Sequence, residues 1–319
     1  MNSVALPEEF IQRLQNIIPA GQWNTVISSF SVQKPTVLRI NTILTSSDKL
    51  IDKLQNEGFD VQRVPWKSDA IIVPHKQRRA IIDSHWYQKG QLYVQNLSSQ
   101  LAPLVLDPQP GEEILDLCAA PGGKTLQMAC MMEDRGRIAA VEKSKGRFFK
   151  LKANLKQHQV SCVDLYLADG AAVGRKTPER FDRVLLDAPC SSESRFRANK
   201  PKTFEHWKPK KIKEMAKKQK ALIKSAINSL KPGGVLVYAT CSFEAEENEA
   251  IIHHALKYFQ DAIEVQPITL PIKNTQAGML SWQGKDFNPL VQHSVRVLPT
   301  EIMDGFYLCR MKKLASTVS

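Results

Sequence analysis

Two cysteines sit where apolar runs end: Cys190 in Asp187-Ala188-Pro189-Cys190-Ser191 and Cys241 in Ala239-Thr240-Cys241-Ser242. The runs before them, Val184 to Leu186 and Val235 to Tyr238, read as buried strands. The carboxyl ends of strands are where an open α/β sheet meets its ligand. A thiolate is strongly nucleophilic and able to leave again, so thiols at such ends point to covalent chemistry. A lone cysteine reads first as packing, and Cys130, Cys162 and Cys309 are assigned to packing.

A second segment bears on a cofactor. Ile114-Leu115-Asp116-Leu117-Cys118-Ala119-Ala120-Pro121-Gly122-Gly123-Lys124-Thr125 runs from a strand through a glycine-containing turn into a helix. Such a turn admits a ligand to the backbone, and the helix N-terminus offers free N–H groups to an anion. A triphosphate-binding loop would need glycine where Cys118 stands, and the G-x-G-x-x-G dinucleotide pattern is absent. S-adenosylmethionine fits what remains, with its methionine carboxylate at the turn and at Lys124. Glu142 closes the strand Ile138-Ala139-Ala140-Val141-Glu142, where α/β nucleotide binders place a ribose carboxylate. Asp169, after Leu167-Ala168, is placed for the adenine amino group. An acid at a strand end is as readily a helix N-cap as a ligand. Cys118 is read as packing beneath the cofactor with a backbone contact.

These groups need a sheet to hold them. From Glu113 onward strand and helix alternate, the signature of a doubly wound parallel sheet. Strands are predicted at Glu113 to Cys118, Arg137 to Glu142, Val163 to Ala168, Arg183 to Asp187 and Gly234 to Thr240, then Ile263 to Val265 and Phe306 to Met311. Helices fall near Lys124 to Met132, Lys145 to Gln157, Pro209 to Leu230 and Ala245 to Phe259. Neighbouring strands lie about 4.8 Å apart, so Cys190 and Cys241 can face one substrate if their strands are adjacent. The first hundred or so residues read as a mixed α+β module. It has helices from Pro7 to Ile18, Trp23 to Phe30 and Asp48 to Glu57, and strands at Thr36 to Ile40 and Ala70 to Val73. Pro108-Gln109-Pro110-Gly111 marks the boundary.

Composition narrows the partner. The 319 residues carry a net charge of +12 and 43% hydrophobic residues, which suits a basic globular protein and a polyanionic partner. From Arg195 to Lys224 twelve Lys or Arg face only two acids, Glu205 and Glu214, so positive charge follows Cys190 directly. The apolar positions Ile212, Met215, Ala216, Leu222, Ile223, Ala226 and Leu230 also make this stretch a basic amphipathic helix, whose lysines could be a solvated face. The six cysteines show neither CxxC pairing nor histidine clusters, which argues against zinc and against a disulfide framework. No apolar stretch approaches the roughly 18 to 20 residues that cross a bilayer, and a cytoplasmic protein is expected.

The octapeptide Cys118 to Thr125, Asp187-Ala188-Pro189-Cys190-Ser191, and Thr240-Cys241-Ser242 with Glu246-Glu247-Asn248-Glu249 resemble, in order and spacing, the RsmB/Nop (Nop/Sun) family of RNA cytosine-5 methyltransferases. Weaker pieces of the same resemblance are Leu38-Arg39-Ile40-Asn41, Gln95-Asn96-Leu97-Ser98-Ser99-Gln100, Arg296-Val297-Leu298-Pro299 and Asp304-Gly305-Phe306. The resemblance implies an α/β, Rossmann-like class I methyltransferase with a seven-stranded sheet, preceded by a smaller α+β domain. Residues 1–108 would be an N-terminal RNA-binding module, 109–314 the S-adenosylmethionine-dependent methyltransferase domain and 315–319 a tail.

The implied reaction moves a methyl group from S-adenosylmethionine to carbon 5 of a cytidine in structured RNA. Ribosomal RNA is expected, with transfer RNA as the alternative. Carbon 5 of cytosine is too poor a nucleophile by itself, so a thiolate must first add to carbon 6, helped by a carboxyl at ring nitrogen 3, and a base must afterwards remove the carbon 5 proton. On chemical grounds either cysteine could attack. The resemblance implies that Cys241 attacks and Cys190 serves release; Asp187, three residues before Cys190, is the candidate carboxyl for nitrogen 3 and is also a candidate cofactor contact. A cytosine-5 DNA methyltransferase would instead attack through Cys190, and an assembly factor would bind RNA without turnover. The expected partners are RNA, no membrane and no metal, and the expected state is a monomer. Arg195, Arg197 and Lys200 are the candidate RNA contacts. There the chain departs from the commoner family pattern, with Ser192-Glu193-Ser194-Arg195-Phe196-Arg197 in place of Gly-x-Gly and an Arg-Arg or Arg-Lys pair.

Overall fold

The computed structural model describes residues 6–318, so Ser319 of the expected tail lies outside the described residues. The N-terminal part contains α1 (Glu8–Gln15), α2 (Trp23–Ser29), β1 (Thr36–Ile40), α3 (Ser47–Asn56), β2 (Gln62–Val64), β3 (Lys67–Val73), α4 (Arg78–Asp83), α5 (His85–Gln88), β4 (Leu92–Val94) and α6 (Leu97–Leu106). Its four strands form an antiparallel sheet in the order β2-β3-β1-β4. The predicted strand at Ala70 to Val73 extends back to Lys67. The three-residue strands β2 and β4 are too short to show a period of two.

The second part runs β5 (Glu113–Asp116), α7 (Gly123–Met131), β6 (Arg137–Glu142), α8 (Lys145–Gln157), β7 (Val163–Leu167), α9 (Val173–Lys176), β8 (Phe181–Asp187), α10 (Pro209–Ser229), β9 (Leu230–Thr240) and α11 (Glu249–Phe259). It continues with β10 (Ile263–Gln266), β11 (Thr275–Ala277), the small hairpin β12 (Ser281–Trp282) and β13 (Lys285–Asp286), then β14 (Val295–Val297) and β15 (Phe306–Lys313). The main sheet has the order β11-β14-β15-β9-β8-β5-β6-β7, with β10 also paired to β15. All seven predicted strands are in it, and β11 and β14 extend it to nine. Strands β7, β6, β5, β8 and β9 are parallel and β15 is antiparallel to β9. The far edge of β15 is shared: β10 pairs with residues 310–313 and β14 with residues 306–308. Because β8 and β9 are neighbours, the segments carrying Cys190 and Cys241 leave the sheet side by side.

The apolar stripe of α10 packs as its spacing predicts: Leu222, Ile223, Ala226 and, at the helix C-cap, Leu230 are buried in the core of the sheet, Ala216 is half-buried against it, and Ile212 and Met215 are buried nearer the helix N-terminus. The two parts are not separate cores. Helices α1 and α2 place Phe10, Leu14, Val26 and Phe30 against Phe196 and Phe243, residues of the loops that follow the two cysteines. Helix α6 lies in one cluster with Ile114, Leu185 and Val237 of the main sheet. Among the described residues no helix is long and apolar enough to cross a membrane.

The weaker sequence motifs turn out to be joints. Arg39 is buried and donates from Nε to Gln95 (3.0 Å) and from Nη1 to the Cys130 sulfur (3.3 Å). Gln95 donates to Gln127 of α7 (2.9 Å), which donates to the Gln100 carbonyl (2.8 Å). Asn41 donates to the carbonyls of Gly90 and His158. Buried polar groups persist only when bonded to one another, so this network fixes β1 and β4 against the helices of the main sheet.

Candidate active site

The carboxyl ends of β5, β6, β8 and β9 open into a cleft of about 1110 Å³. Cys118, Ala119, Ala120, Pro121, Gly123, Lys124, Glu142, Asp169, Asp187, Cys190, Arg195, Arg197 and Cys241 all line it. Gly122 and Lys200 do not. Gly122 instead shapes the turn: its φ is +110°, and a Cβ there would come within 2.8 Å of Leu151 Cδ1. Helix α8 holds the turn from outside, Arg147 donating to the Ala120 carbonyl (2.5 Å) and Asn154 to that of Pro121 (2.7 Å). Below it Thr125 donates to Asp116 (2.7 Å), whose pKa burial raises to about 7.

The three acids differ in what they have left to offer. Glu142 is buried; its Oε1 accepts from the Ser144 amide (2.8 Å), while Oε2 has no hydrogen bond and lies 3.4 Å from Arg147. An unsatisfied buried carboxylate oxygen facing a cleft is a vacancy for a hydroxyl donor. Asp169 is an N-cap as well as a cleft residue. One of its oxygens accepts from the Ala171 amide (3.1 Å) and the other from Lys143 (2.6 Å). Asp187 accepts from Lys124 Nζ (2.6 Å), which also lies over the Phe306 ring.

At the sheet's centre the Cys190 and Cys241 sulfurs are 3.3 Å apart. The two sulfurs are within hydrogen-bonding distance, and the environment favours Cys241 as the charged partner. The Cys190 hydrogen bond lowers its pKa against the penalty of burial, and the Arg195 guanidinium and the Ser192 hydroxyl lower it further. Cys190 is pushed well up by the same hydrogen bond, by burial and by the negative charge on Cys241. The Cys118, Cys162 and Cys309 thiols are all pushed up by burial, which keeps them protonated and inert.

Sequence reasoning missed the residues that hold this pair. Glu247 accepts from the Ser191 amide (3.1 Å), the Ser191 hydroxyl, Ser242 Oγ (3.1 Å) and Gln219 of α10 (2.8 Å). It therefore ties the residue after Cys190 to the residue after Cys241. Burial and the charge of Glu193 raise its pKa to about 8. Asn248 accepts from Thr240 Oγ1 (2.6 Å) and donates to the Ser242 carbonyl (2.9 Å), pinning the turn that carries Cys241. Glu249 accepts two hydrogen bonds from Arg296, which also donates to the Phe243 carbonyl. The Glu246-to-Glu249 motif was legible as a motif, but its role was not, because its partners lie as far off as Arg296.

The segment that departs from the family pattern has its own geometry. Ser192 takes a left-handed backbone, φ +65°, at a position where that pattern has glycine, and its hydroxyl lies 3.5 Å from the Cys241 sulfur and 3.7 Å from that of Cys190. Arg197 is committed to the protein: it donates to Asp304 (2.8 Å) and to the Phe196 carbonyl (2.7 Å). Of the lysines on α10, Lys218 lines the cleft and Lys224 lies over Tyr258.

With this geometry established, comparison with known proteins identifies its kin. Residues 103–312 match the model of 16S rRNA methyltransferase RsmB/F, and residues 6–97 match that of the N-terminal domain of 16S rRNA methyltransferase RsmF. The chain belongs to the RsmB/F methyltransferase family. It is 33% identical over 321 residues to ribosomal RNA small subunit methyltransferase F of Vibrio atlanticus and 32% identical to that of Cronobacter sakazakii, with 98% of this chain covered in each case. It spans 65% and 64% of the length of those relatives. Among solved structures, PH0851 aligns with a TM-score of 0.85 at 29% identity over 96% of this chain and 66% of that one. A methyltransferase homolog protein from Pyrococcus horikoshii aligns at 0.80 and 28% over 97% of this chain and all of the other. S-adenosylmethionine is the methyl donor of a methyltransferase of this family. The cleft suits it, with a glycine-shaped turn at one strand end and at the next Glu142 Oε2, which is ion-paired to Arg147 but accepts no hydrogen bond.

Proposed function

We propose that the chain methylates carbon 5 of a cytidine in ribosomal RNA through a covalent bond between Cys241 and carbon 6. The observation that carries this reading is the pair of sulfurs 3.3 Å apart at the ends of adjacent parallel strands, opening into the cofactor cleft. When bound, S-adenosylmethionine supplies an electrophilic methyl group. The turn from Cys118 to Lys124 would hold the donor's carboxylate, and Glu142 its ribose. Asp169 would accept from the adenine amino group beside its bonds to the Ala171 amide and Lys143.

The thiolate of Cys241 adds to carbon 6 of a base flipped into the cleft, and Asp187, oriented by Lys124, hydrogen-bonds at nitrogen 3. Carbon 5 gains nucleophilic character and takes the methyl group. Cys190, its own proton passed to solvent once the neighbouring sulfur is a thioether, then removes the carbon 5 proton, and the electron pair returned to the ring expels the Cys241 thiolate. The two roles are linked. As long as Cys241 carries charge, it suppresses ionisation of Cys190. Once the Cys241 sulfur is bonded to carbon 6 it is a neutral thioether, so that suppression ends when a base is needed. The homologues' names favour ribosomal over transfer RNA as the substrate. Incubation with methyl-labelled S-adenosylmethionine and undermethylated 16S rRNA should place the label in 5-methylcytidine. Label in any other nucleoside, or in none, would overturn the reading.

A further inference from the structure

A second hollow, of about 400 Å³, adjoins the catalytic cleft and shares Val94, Asn96 and Arg197 with it. It is built from both parts of the chain. Lys34, Thr36, His75 and Arg78 come from the N-terminal part, and Arg197 and Lys200 from the segment after Cys190. No aspartate or glutamate lines it. Lys34 and Arg197 are tied to the same carboxylate, Asp304 (2.9 and 2.8 Å). The side chains of His75, Arg78 and Lys200 make no ion pair or hydrogen bond among the described residues. Thr36, 2% exposed, also lines the hollow, and its hydroxyl is buried without a hydrogen-bond partner. A concave wall with four formal positive charges, no acid and an unsatisfied hydroxyl is made for an anion.

We propose that this hollow binds a backbone phosphate of the single-stranded RNA segment whose flipped cytidine occupies the catalytic cleft. The inference rests on the proposed RNA substrate. The shared wall carries a strand from one cavity into the other, so a phosphodiester next to the target nucleotide falls between Arg78 and Lys200. Arg78 offers it the forked guanidinium and Lys200 a point charge. The paired Lys34 and Arg197 form the floor. The register is thereby set across the seam between the two parts, and Lys200 contacts RNA outside the catalytic cleft rather than within it.

The test uses the full chain and a fluorescein-labelled single-stranded oligoribonucleotide with one cytidine, in which a neutral methylphosphonate is moved one linkage at a time. In the unaltered protein one linkage beside the cytidine should stand out, its neutralisation weakening binding about tenfold, the effect expected for one charge-assisted contact. In Arg78→Ala and in Lys200→Ala the same linkage should cost less, and in the double variant it should cost nothing further. The slope of log affinity against log salt should fall by about 0.7 per lost contact. Both side chains are outside the buried core, so loss of fold is not expected, and an unchanged circular dichroism spectrum checks it. Equal losses at every linkage, or variants with unaltered affinity and slope, would overturn the proposal. The methylation assay separates it from the reading on which it rests. Methyl transfer without a privileged linkage sinks the phosphate site alone, whereas an Arg78-dependent linkage with no methyl transfer sinks the reaction alone.

Discussion

At the scale of single residues, the asymmetry of two otherwise equivalent thiols is set by what surrounds them. Arg195 and Ser192 lower the Cys241 pKa by charge and by hydrogen bond, while Cys190 is held up chiefly by its bond to Cys241 and by burial. Arg195→Ala removes a positive charge and should raise the Cys241 pKa. The acidic limb of alkylation, followed at Cys241 by mass spectrometry against pH, then moves to higher pH. Ser192→Gly should move it the same way by less, and an unmoved limb would contradict the electrostatic account. Glu247 titrates in the opposite sense for stability. The unfolded carboxyl has a pKa near 4.5, and burial raises the folded one to about 8. The proton is thus held by the folded state, so its stabilisation is full below about pH 4.5 and is lost as pH rises through about 8. Glu244 and Asp116, both raised to about 7 by burial, act in the same direction. Thermal midpoints between about pH 5 and pH 8 should fall less steeply in Glu247→Gln than in the unaltered protein. That these residues would meet at one cleft was legible in the sequence because Cys190, Cys241, Lys124, Glu142 and Asp187 stand in short local motifs at strand ends. Ser192 was legible only as a departure, since its left-handed backbone and its distance to the sulfurs are set in three dimensions.

At the scale of elements, the loops after β8 and β9 are held by distant clamps. Arg13 of α1 donates to Glu244 (2.5 and 2.8 Å) and to Glu246 (2.7 Å), and Glu244 is almost fully buried. Removing one partner of a buried ion pair leaves the other charge uncompensated. Arg13→Ala should therefore cost about 3 kcal/mol in urea unfolding, with Glu244→Gln in the same chain recovering part of it. No recovery in the double variant would show that the loss is packing alone. The seven main strands and four main helices were readable because runs such as Ile114 to Leu117 and the stripe from Ile212 to Ala226 exceed the length at which a period shows. Strands β2, β4, β11 and β14 have three residues each and were not. The Arg13 clamp joins residues 231 positions apart, a separation at which no spacing pattern exists.

At the scale of the whole molecule, the Pro108-to-Gly111 boundary marks a change of sheet, while the packing crosses it. Phe10 meets Phe30, Phe196 and Trp207 edge to face, so the aromatic cluster under the two cysteine-bearing loops is built from both parts. A shared core predicts shared unfolding. Tryptophan fluorescence and far-ultraviolet circular dichroism should report one coincident transition, and Phe10→Ala, at a cost of about 3 to 5 kcal/mol, should lower both midpoints together. Two separated transitions would mean that the parts fold independently. The basic character legible in the +12 net charge is likewise divided by the fold. Arg197 and Lys224 are engaged with the protein, and Lys218 and Arg195 face the cleft.

The central claim is that the two thiols have different tasks in one reaction, and covalent trapping measures it most directly. Cys190→Ala and Cys241→Ala are each incubated with S-adenosylmethionine and 16S rRNA and resolved on denaturing gels. Cys190→Ala should accumulate an RNA-linked species that cannot be released, and Cys241→Ala should form none. An adduct in Cys241→Ala, with none in Cys190→Ala, would assign the attack to the other sulfur and contradict the account.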